Sequence, residues 1–283
     1  MIVPVLNAAT TLPNQLDALA VQRCGVPWEL VAADNGSTDP SRRIVEEWLA
    51  EGAREGSLVD ASGAAGAGPA RNAAAAHATG DLLVFTDADD VVAPGWLQAI
   101  ADAATRGDLV AGRLEVDEVN DPVVRSWFHG PPADRPITAH GFLPFAGSGN
   151  CAVWRDVFDE AGGFDPAMRY GGDIDFSWRV QLAGRDLVFA AEAVLRRRYP
   201  DSVRAVARQH YRWGQANALL YRRHRAAGMP RPSARQVVRT WASIVASAPL
   251  APFSRTRRGR WVRLAALRLG HAVGSLRHRV VFP

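Results

Sequence analysis

Three carboxylates, Asp87, Asp89 and Asp90, follow directly on the apolar run 82–85. A strand interior does not accept adjacent acids, so the cluster belongs at the strand's exposed C-terminal mouth, where parallel sheets bind ligands. Side chains alternate along an extended backbone, which turns Asp87 and Asp89 to the same side. Two convergent carboxylates suit a hard divalent cation and, through it, a diphosphate. Alone, such a cluster is more often a solvated Asp-rich turn, so its meaning depends on its neighbours. A further acid, Asp173, opens a helical pattern that continues through Phe176, Ser177, Arg179, Val180 and Leu182. It falls in the first turn and faces out of the helix mouth, where a carboxylate can take a proton or merely complement the helix dipole.

Holding these acids takes strand ends and helix starts, and the chain supplies them in order. A short strand from Ile2 runs through Pro4 and Val5 into Asn7. A second apolar strand, 30–33, ends in Asp34-Asn35-Gly36-Ser37-Thr38-Asp39, a turn joined to a helix N-cap. Gly68-Pro69-Ala70-Arg71-Asn72 opens an alanine helix that reaches His77. Arg71 lies in its first turn, where a cation opposes the macrodipole unless an anion is bound nearby. Downstream come Gly147-Ser148-Gly149-Asn150, Ala161-Gly162-Gly163-Phe164-Asp165 and Gly171-Gly172-Asp173-Ile174-Asp175-Phe176-Ser177-Trp178-Arg179.

This ordered set resembles the family 2 glycosyltransferases over about residues 2–225. In that family the first strand reads Pro-Val-x-Asn and the second ends in Asp-Asp-Gly-Ser-x-Asp. A helix carries Ala-Arg-Asn, the metal motif is Asp-x-Asp, and Glu-Asp-x-Asp-Leu-x-x-Arg follows. The resemblance implies an α/β GT-A fold, a Rossmann-like nucleotide-sugar-binding domain with a mixed central sheet, and inverting sugar transfer from a nucleoside-diphosphate sugar. It places Pro4, Val5 and Asn7 in the nucleotide pocket wall and sets Asp34 to accept hydrogen bonds from the base. Arg71 serves the diphosphate or orients the acids. Asp87 meets the ribose or a metal-bound water, Asp89 holds Mg2+ or Mn2+, and Asp90 supports their geometry. Asp173 is the implied general base. Asn150 is set on the donor sugar or acceptor, with turn stabilisation as the alternative.

Gln209-His210-Tyr211-Arg212-Trp213 is similar to the Gln-x-x-Arg-Trp motif of the family's polymerising synthases, whose aromatic ring stacks on the acceptor sugar. Arg212 and Trp213 are acceptor candidates on that ground, although Trp213 also fits the apolar face of a long helix, 202–225. The chain departs from the family pattern at Asn35, which replaces the second Asp of the turn, and at Gly172, which replaces the Glu before Asp173. Where relatives place a metal-binding His, shortly after the strand at Val194, it has Arg196-Arg197-Arg198, so either His210 substitutes or that ligand is missing. These arginines equally offer charge to a diphosphate.

At 283 residues the chain is long enough for a catalytic domain over about 1–200, with a donor half to about 115 and an acceptor half from 116, followed by a basic amphipathic helical extension over 201–283. All 33 basic residues are arginine, a composition suggesting a GC-rich bacterial genome. Cys24 and Cys151 lack disulfide or metal-ligand spacing and suit a reducing cytosol. A strand beginning at Ile2 leaves no room for a signal peptide. Residues 1–190 hold 13 arginines against 27 acids and residues 191–283 hold 20 against 2, with no carboxylate after Asp201. Such a tail seeks anionic phosphate. Val262, Ala266, Leu269, Val273, Leu276 and Val280 form one stripe over 257–281, so the tail is expected either to lie on an anionic membrane, peripheral on the inner face of the cytoplasmic membrane, or to pack as helices. A membrane location favours a lipid-linked saccharide acceptor; a plain saccharide is the other option. Without a membrane span, non-processive transfer in cell-envelope polysaccharide or glycolipid synthesis is expected. No nucleic-acid reading motif accompanies the arginines. A catalytically decayed scaffold or sugar-binding protein is the competing class, against which the retained Asp34, Asp89 and Asp173 argue.

Overall fold

A computed structural model describes residues 1–52 and 55–283. The chain divides into two compact units, one formed by Met1–Glu115, Pro131–Ile137 and Pro144–Arg197, the other by Val116–Gly130, Thr138–Leu143 and Arg198–Pro283. The stretch 116–200, expected as an acceptor half, is therefore split between them: its loops at 116–130 and 138–143 group with the C-terminal helices.

The first unit is a mixed α/β structure. In chain order it contains β1 (Ile2–Val5), α1 (Leu12–Ala20), β2 (Leu30–Asp34), α2 (Ser41–Ala50), β3 (Gly56–Asp60), α3 (Ala67–His77), β4 (Leu82–Thr86), β5 (Val91–Val92), α4 (Trp96–Ala104) and β6 (Leu109–Glu115). After α5 (Pro122–Arg125) of the second unit come the short ladder β7 (Ile137–Thr138) and β8 (Pro144–Phe145), then β9 (Asn150–Trp154), α6 (Arg155–Glu160), α7 (Gly172–Leu182) and β10 (Leu187–Arg196). Eight strands form one sheet in the order β3-β2-β1-β4-β9-β6-β10-β5. β1 is parallel to both β2 and β4, whereas β9 runs antiparallel between β4 and β6.

Residue alternation along the strands explains why the sheet is buried on both faces. Val3, Val5, Leu30, Ala32 and Val84 join Leu16, Trp48 and Trp96 from α1, α2 and α4 in one layer. Ile2, Val31, Ala33, Leu83 and Phe85 join Ala70, Phe158 and Phe176 from α3, α6 and α7 in the other. Each large apolar side chain removed from water contributes about 1.5–3 kcal/mol. The alanines of α3 have a packing role, since the fully buried Ala70 and Ala74 let this helix lie close to the sheet. The chain moves outward from β1 to β2 and β3, then returns through α3 to β4 on the other side of β1. The strand order reverses at the C-terminal ends of β1 and β4, which is where an open α/β sheet forms a ligand crevice.

The second unit is built on α8 (Val203–His224), α9 (Ala234–Ser247) and α10 (Arg255–His278). The Ser202 hydroxyl caps α8, and Ser233 with Gln236 forms a capping box on α9. α8 and α10 meet backbone to backbone: a Cβ on Gly214 would lie 2.3 Å from the Leu267 carbonyl oxygen, and one on Gly270 2.2 Å from that of Tyr211. The packing face of α10 is thus Gly259, Gly270, His271 and Gly274, while Leu269 and Leu276 of the expected apolar stripe are exposed. Among the described residues no helix is long and apolar enough to cross a membrane.

Candidate active site

The loops leaving β1 and β2 are tied to one another by short polar side chains. Asn7 adopts a left-handed backbone (φ 50°), and its Oδ1 accepts from the Thr38 amide at 2.8 Å. The Asn7 amide donates to Ser37 Oγ at 3.1 Å, and the Ala8 amide to Ser41 Oγ at 2.8 Å. Asp39 accepts from the Ala9 amide at 3.0 Å and from the Ser41 hydroxyl at 2.5 Å, so it joins the two loops as well as starting α2. Asp34 is buried at the end of β2, where it accepts from the Ser37 amide at 3.1 Å and lies 3.8 Å from Arg42. Asn35 donates to the carbonyls of Ala61 (2.6 Å) and Ala64 (2.8 Å) and accepts from the Gly66 amide (2.8 Å) just ahead of α3. An aspartate cannot donate those two bonds, which gives a physical reason for the amide at this position.

Asp87, Asp89 and Asp90 bring one carboxylate oxygen each within 4.8 Å of one another, an oxygen-only set that fits a hard divalent cation. Their loop is held from below by Gln15 of α1, which is fully buried. Its amide donates to Thr86 Oγ1 (2.9 Å) and the Asp87 carbonyl (3.1 Å), and its carbonyl accepts from the Val92 amide (3.0 Å). Sequence reasoning missed this residue. The available signal was one polar side chain on the apolar face Leu12, Leu16, Leu19 of α1. From the side, the buried guanidinium of Arg71 pairs with Asp87, while its Nε has no hydrogen-bond partner. α3 begins at Ala67, ahead of the expected start, so Arg71 stands at its fifth position rather than in the first turn, and its charge is matched by an acid of the protein itself. Gly149 closes the other side, where a Cβ would stand 2.5 Å from Asp87 Oδ2.

Crowding by protein atoms, followed by the charge of Asp87, pushes the Asp89 carboxyl above the ordinary range. The residue as a whole stays open to solvent, which makes repulsion from Asp87 the more durable of the two causes. Asp173, at the start of α7, is also raised, by burial, against the opposing effects of the Ile174 amide at 3.0 Å and the charges of Arg71 and Arg197. Arg197 pulls on both Asp89 and Asp173, so the arginine run after β10 brings positive charge to the acids. The stretch 161–165 is fixed from two directions. Asn72 exchanges two hydrogen bonds with the Phe164 backbone (2.7 and 3.0 Å), and Arg179 bridges Asp175 (2.9 Å) and the Gly163 carbonyl (2.7 Å).

A cavity of about 440 Å³ opens at the switch point. Pro4, Val5, Asn7, Asn35, Arg71, Asp87 and Asp89 are among its lining residues; Asn35 lines it and Asp34 does not. Asn150 was expected on the donor sugar or acceptor, with turn stabilisation as the alternative. It is buried at the start of β9, where Oδ1 accepts from Trp96 Nε1 (2.7 Å) and Nδ2 donates to the carbonyls of Arg113 (2.9 Å) and Ala193 (3.1 Å), so both amide hydrogens serve the scaffold. Arg212 and Trp213 lie on α8 of the second unit, the first exposed and the second half-buried. Among the described residues the acid cluster consists of carboxylates alone. The His210 ring is buried in the second unit, with Nδ1 3.1 Å from the Val206 carbonyl.

A sequence match to the family described as glycosyl transferase family 2 spans residues 1–162, and one to glycosyl transferase family group 2 spans 82–273. The chain belongs to glycosyl transferase family 2. This family 2 chain is 25% identical over 206 residues to glycosyltransferase AglE of Haloferax volcanii, covering 69% of this chain and 64% of that protein. It is 26% identical over 234 residues to the pre-mycofactocin glycosyltransferase of Mycobacterium tuberculosis, covering 78% and 47%. The chain therefore spans about half to two thirds of the length of these curated relatives. Among solved structures, a mannosyltransferase of Pyrobaculum calidifontis in complex with GDP-Man and Mn2+ superposes with a TM-score of 0.69 at 19% identity, over 97% of this chain and 86% of the other. S. aureus TarS in complex with UDP-GlcNAc gives 0.51 at 16% identity, over 100% and 92%. These likenesses establish a GT-A fold.

Proposed function

We propose that the chain transfers a sugar, with inversion, from a nucleoside-diphosphate sugar to an acceptor hydroxyl. The observation that carries this reading is the carboxylate trio Asp87, Asp89 and Asp90 at the switch-point cavity, with the buried Arg71 held against Asp87. Asp89, with Asp87 or Asp90, would hold Mg2+ or Mn2+, which when bound offsets the charge building on the departing nucleoside diphosphate. GDP-Man with Mn2+ in the P. calidifontis enzyme and UDP-GlcNAc in TarS lend support to such a donor. Pro4, Val5, Asn7 and Asn35 wall the nucleotide side, with Asp34 behind them shaping the turn. Arg71 fixes the orientation of Asp87, and Arg197 supplies positive charge beside the diphosphate. Asp173 takes the proton of the acceptor hydroxyl as its oxygen attacks the anomeric carbon from the face opposite the leaving group. A carboxylate with a raised pKa is a stronger base and suits that role.

The acceptor side is assigned to a saccharide or lipid-linked saccharide, with Arg212 and Trp213 as its contacts and a peripheral position on an anionic membrane surface. Support comes from α9 and the turn after it, where Val238, Trp241, Val245, Leu250 and Phe253 are exposed in an acid-free, arginine-rich region. The reading is tested by calorimetric titration with UDP, GDP and dTDP, with and without Mn2+, on the wild type and Asp89→Ala. Metal-dependent binding of one nucleotide that the substitution removes is the expected result. Failure of all three to bind would refute the donor site and favour a decayed scaffold.

A further inference from the structure

The second unit holds a cavity of its own, of about 810 Å³, to which the transferase reading assigns no role. α9 contributes Gln236, Arg239, Thr240 and Ser243, α10 contributes Leu264 and Arg268, and Arg231 stands between Pro230 and Pro232 at one wall. The lining carries three arginines and no carboxylate. Arg268 donates to Thr240 Oγ1 at 3.1 Å, yet its Nε is buried without a partner. Its Nη1 donates to the Pro283 backbone oxygen at 3.0 Å, and burial pulls the guanidinium below the ordinary range. Arg231 and Arg239 are exposed and take part in no ion pair among the described residues. Pro230, Pro232, Leu264 and Phe282 make an apolar part of the wall, and Gly141 and the His140 ring complete it.

Three guanidiniums lining one cavity suit the oxygens of a phosphate, which arginine grips with paired N–H groups. The Ser243 hydroxyl suits the same group, while prolines, leucine and phenylalanine suit a hydrocarbon chain. α9 joins the two chemistries, because it turns Gln236, Arg239, Thr240 and Ser243 to the cavity and Val238, Trp241 and Val245 to solvent. We propose that this cavity is a binding site for a phosphate-bearing amphiphile, with Arg231, Arg239 and Arg268 on the phosphate and the apolar wall on the chain. All its residues belong to the second unit and those of the donor cavity to the first, so this site stands or falls independently of sugar transfer.

The test is calorimetric titration of the whole chain with n-octyl phosphate, inorganic phosphate and 1-octanol. Each is run on the wild type, on the exposed double variant Arg231→Gln/Arg239→Gln, and on Val245→Glu, which changes only the outer face of α9. Octyl phosphate should bind about tenfold or more tightly than inorganic phosphate, octanol should not saturate, and the double variant should weaken octyl phosphate by about tenfold, the effect of one to two lost charge-assisted hydrogen bonds. Val245→Glu should bind as the wild type does. Inorganic phosphate binding as tightly as octyl phosphate would overturn the amphiphile assignment, because a free ion would then be the natural occupant. Saturable octanol binding of equal strength, an unaffected double variant, or loss of binding in Val245→Glu would each overturn it too. Nucleotide titration and thermal melting of the double variant, both expected to match the wild type, separate loss of this site from loss of fold.

Discussion

Replacing Asn35 by aspartate would restore the acid usual at this turn of family 2, yet the geometry requires it to do harm. Asn35 Nδ2 lies 2.6 Å from the Ala61 carbonyl and 2.8 Å from that of Ala64. In Asn35→Asp an anionic oxygen would face both carbonyl oxygens at those separations. Two hydrogen bonds of about 1 kcal/mol each are lost and two acceptors are left against a negative charge, for a total of about 2–4 kcal/mol. Because the carbonyls raise the new carboxyl's pKa in the folded state, the deficit should be small at acid pH, where the protonated group still donates one bond, and should grow as pH rises through that pKa. Urea unfolding at pH 5 and pH 8 reads both effects, and the nucleotide titration reads the consequence for the pocket that Asn35 lines. A variant as stable as the wild type at pH 8, or one that binds nucleotide more tightly, would refute the reasoning and make Asn35 a simple stand-in for a ligand-contacting acid.

In Gly149→Ala the new methyl would meet Asp87 Oδ2 at 2.5 Å, so metal-dependent nucleotide affinity should fall by about 10- to 100-fold, as small misplacements at a site do, while the urea midpoint changes little. Gln15→Leu should cost about 2–4 kcal/mol in urea unfolding, because the buried Val92 amide and Asp87 carbonyl lose their partner. For Asp173, raised by burial, kcat/KM should climb with pH through an apparent pKa above the usual carboxylate range. Asp173→Asn should lower kcat by about 10²–10⁴ with nucleotide binding retained. Burial holds the rings of His210, beside Arg263, and His271, beside Arg268 and His140, down at about 4. Above pH 6.5 folded and unfolded chains both carry them neutral; below it the unfolded chain takes up protons first, so stability should fall by about 2 kcal/mol per ring by pH 5 in urea melts.

Much of the first unit is legible in the sequence because strand ends advertise themselves. Apolar runs that stop at Asn7, Asp34 and Asp87 mark three neighbouring strand exits, and the alanine helix between the second and third must cross back over the sheet. Arg71 stands out on an expected first-turn position that the helix start at Ala67 moves it away from, and its partner proves to be Asp87. The second unit was harder to read, since hydrophobic spacing alone nominates Leu269 and Leu276 for burial. The helices approach through Gly214, Gly270 and Gly274 instead, and a glycine contact face has no hydrophobic signature. The loops that join the helices come from 116–130 and 138–143, a long-range grouping that no local pattern encodes.

The side-chain amides show why a residue type can be right for a site and still serve the scaffold. Gln15, Asn35, Asn72 and Asn150 sit beside strand ends and loops, where a sugar-binding amide is also found. An amide offers donors and acceptors at once, and so does the backbone at each strand exit, where the ladder stops and N–H and C=O groups lose their partners. Leaving such groups buried and unmet costs about 1–3 kcal/mol each, comparable to what one sugar hydrogen bond returns. Asn35 and Asn72 spend themselves on loop backbone, while Gln15 adds the Thr86 hydroxyl and Asn150 the Trp96 indole N–H to their two backbone bonds. Carboxylates cannot stitch carbonyls in this way, so acids at the same mouth remain available to a cation or a proton. Under the proposed function the chemistry falls to Asp87, Asp89, Asp90 and Asp173, and amides such as Gln15 and Asn35 set the loops around the first of these acids.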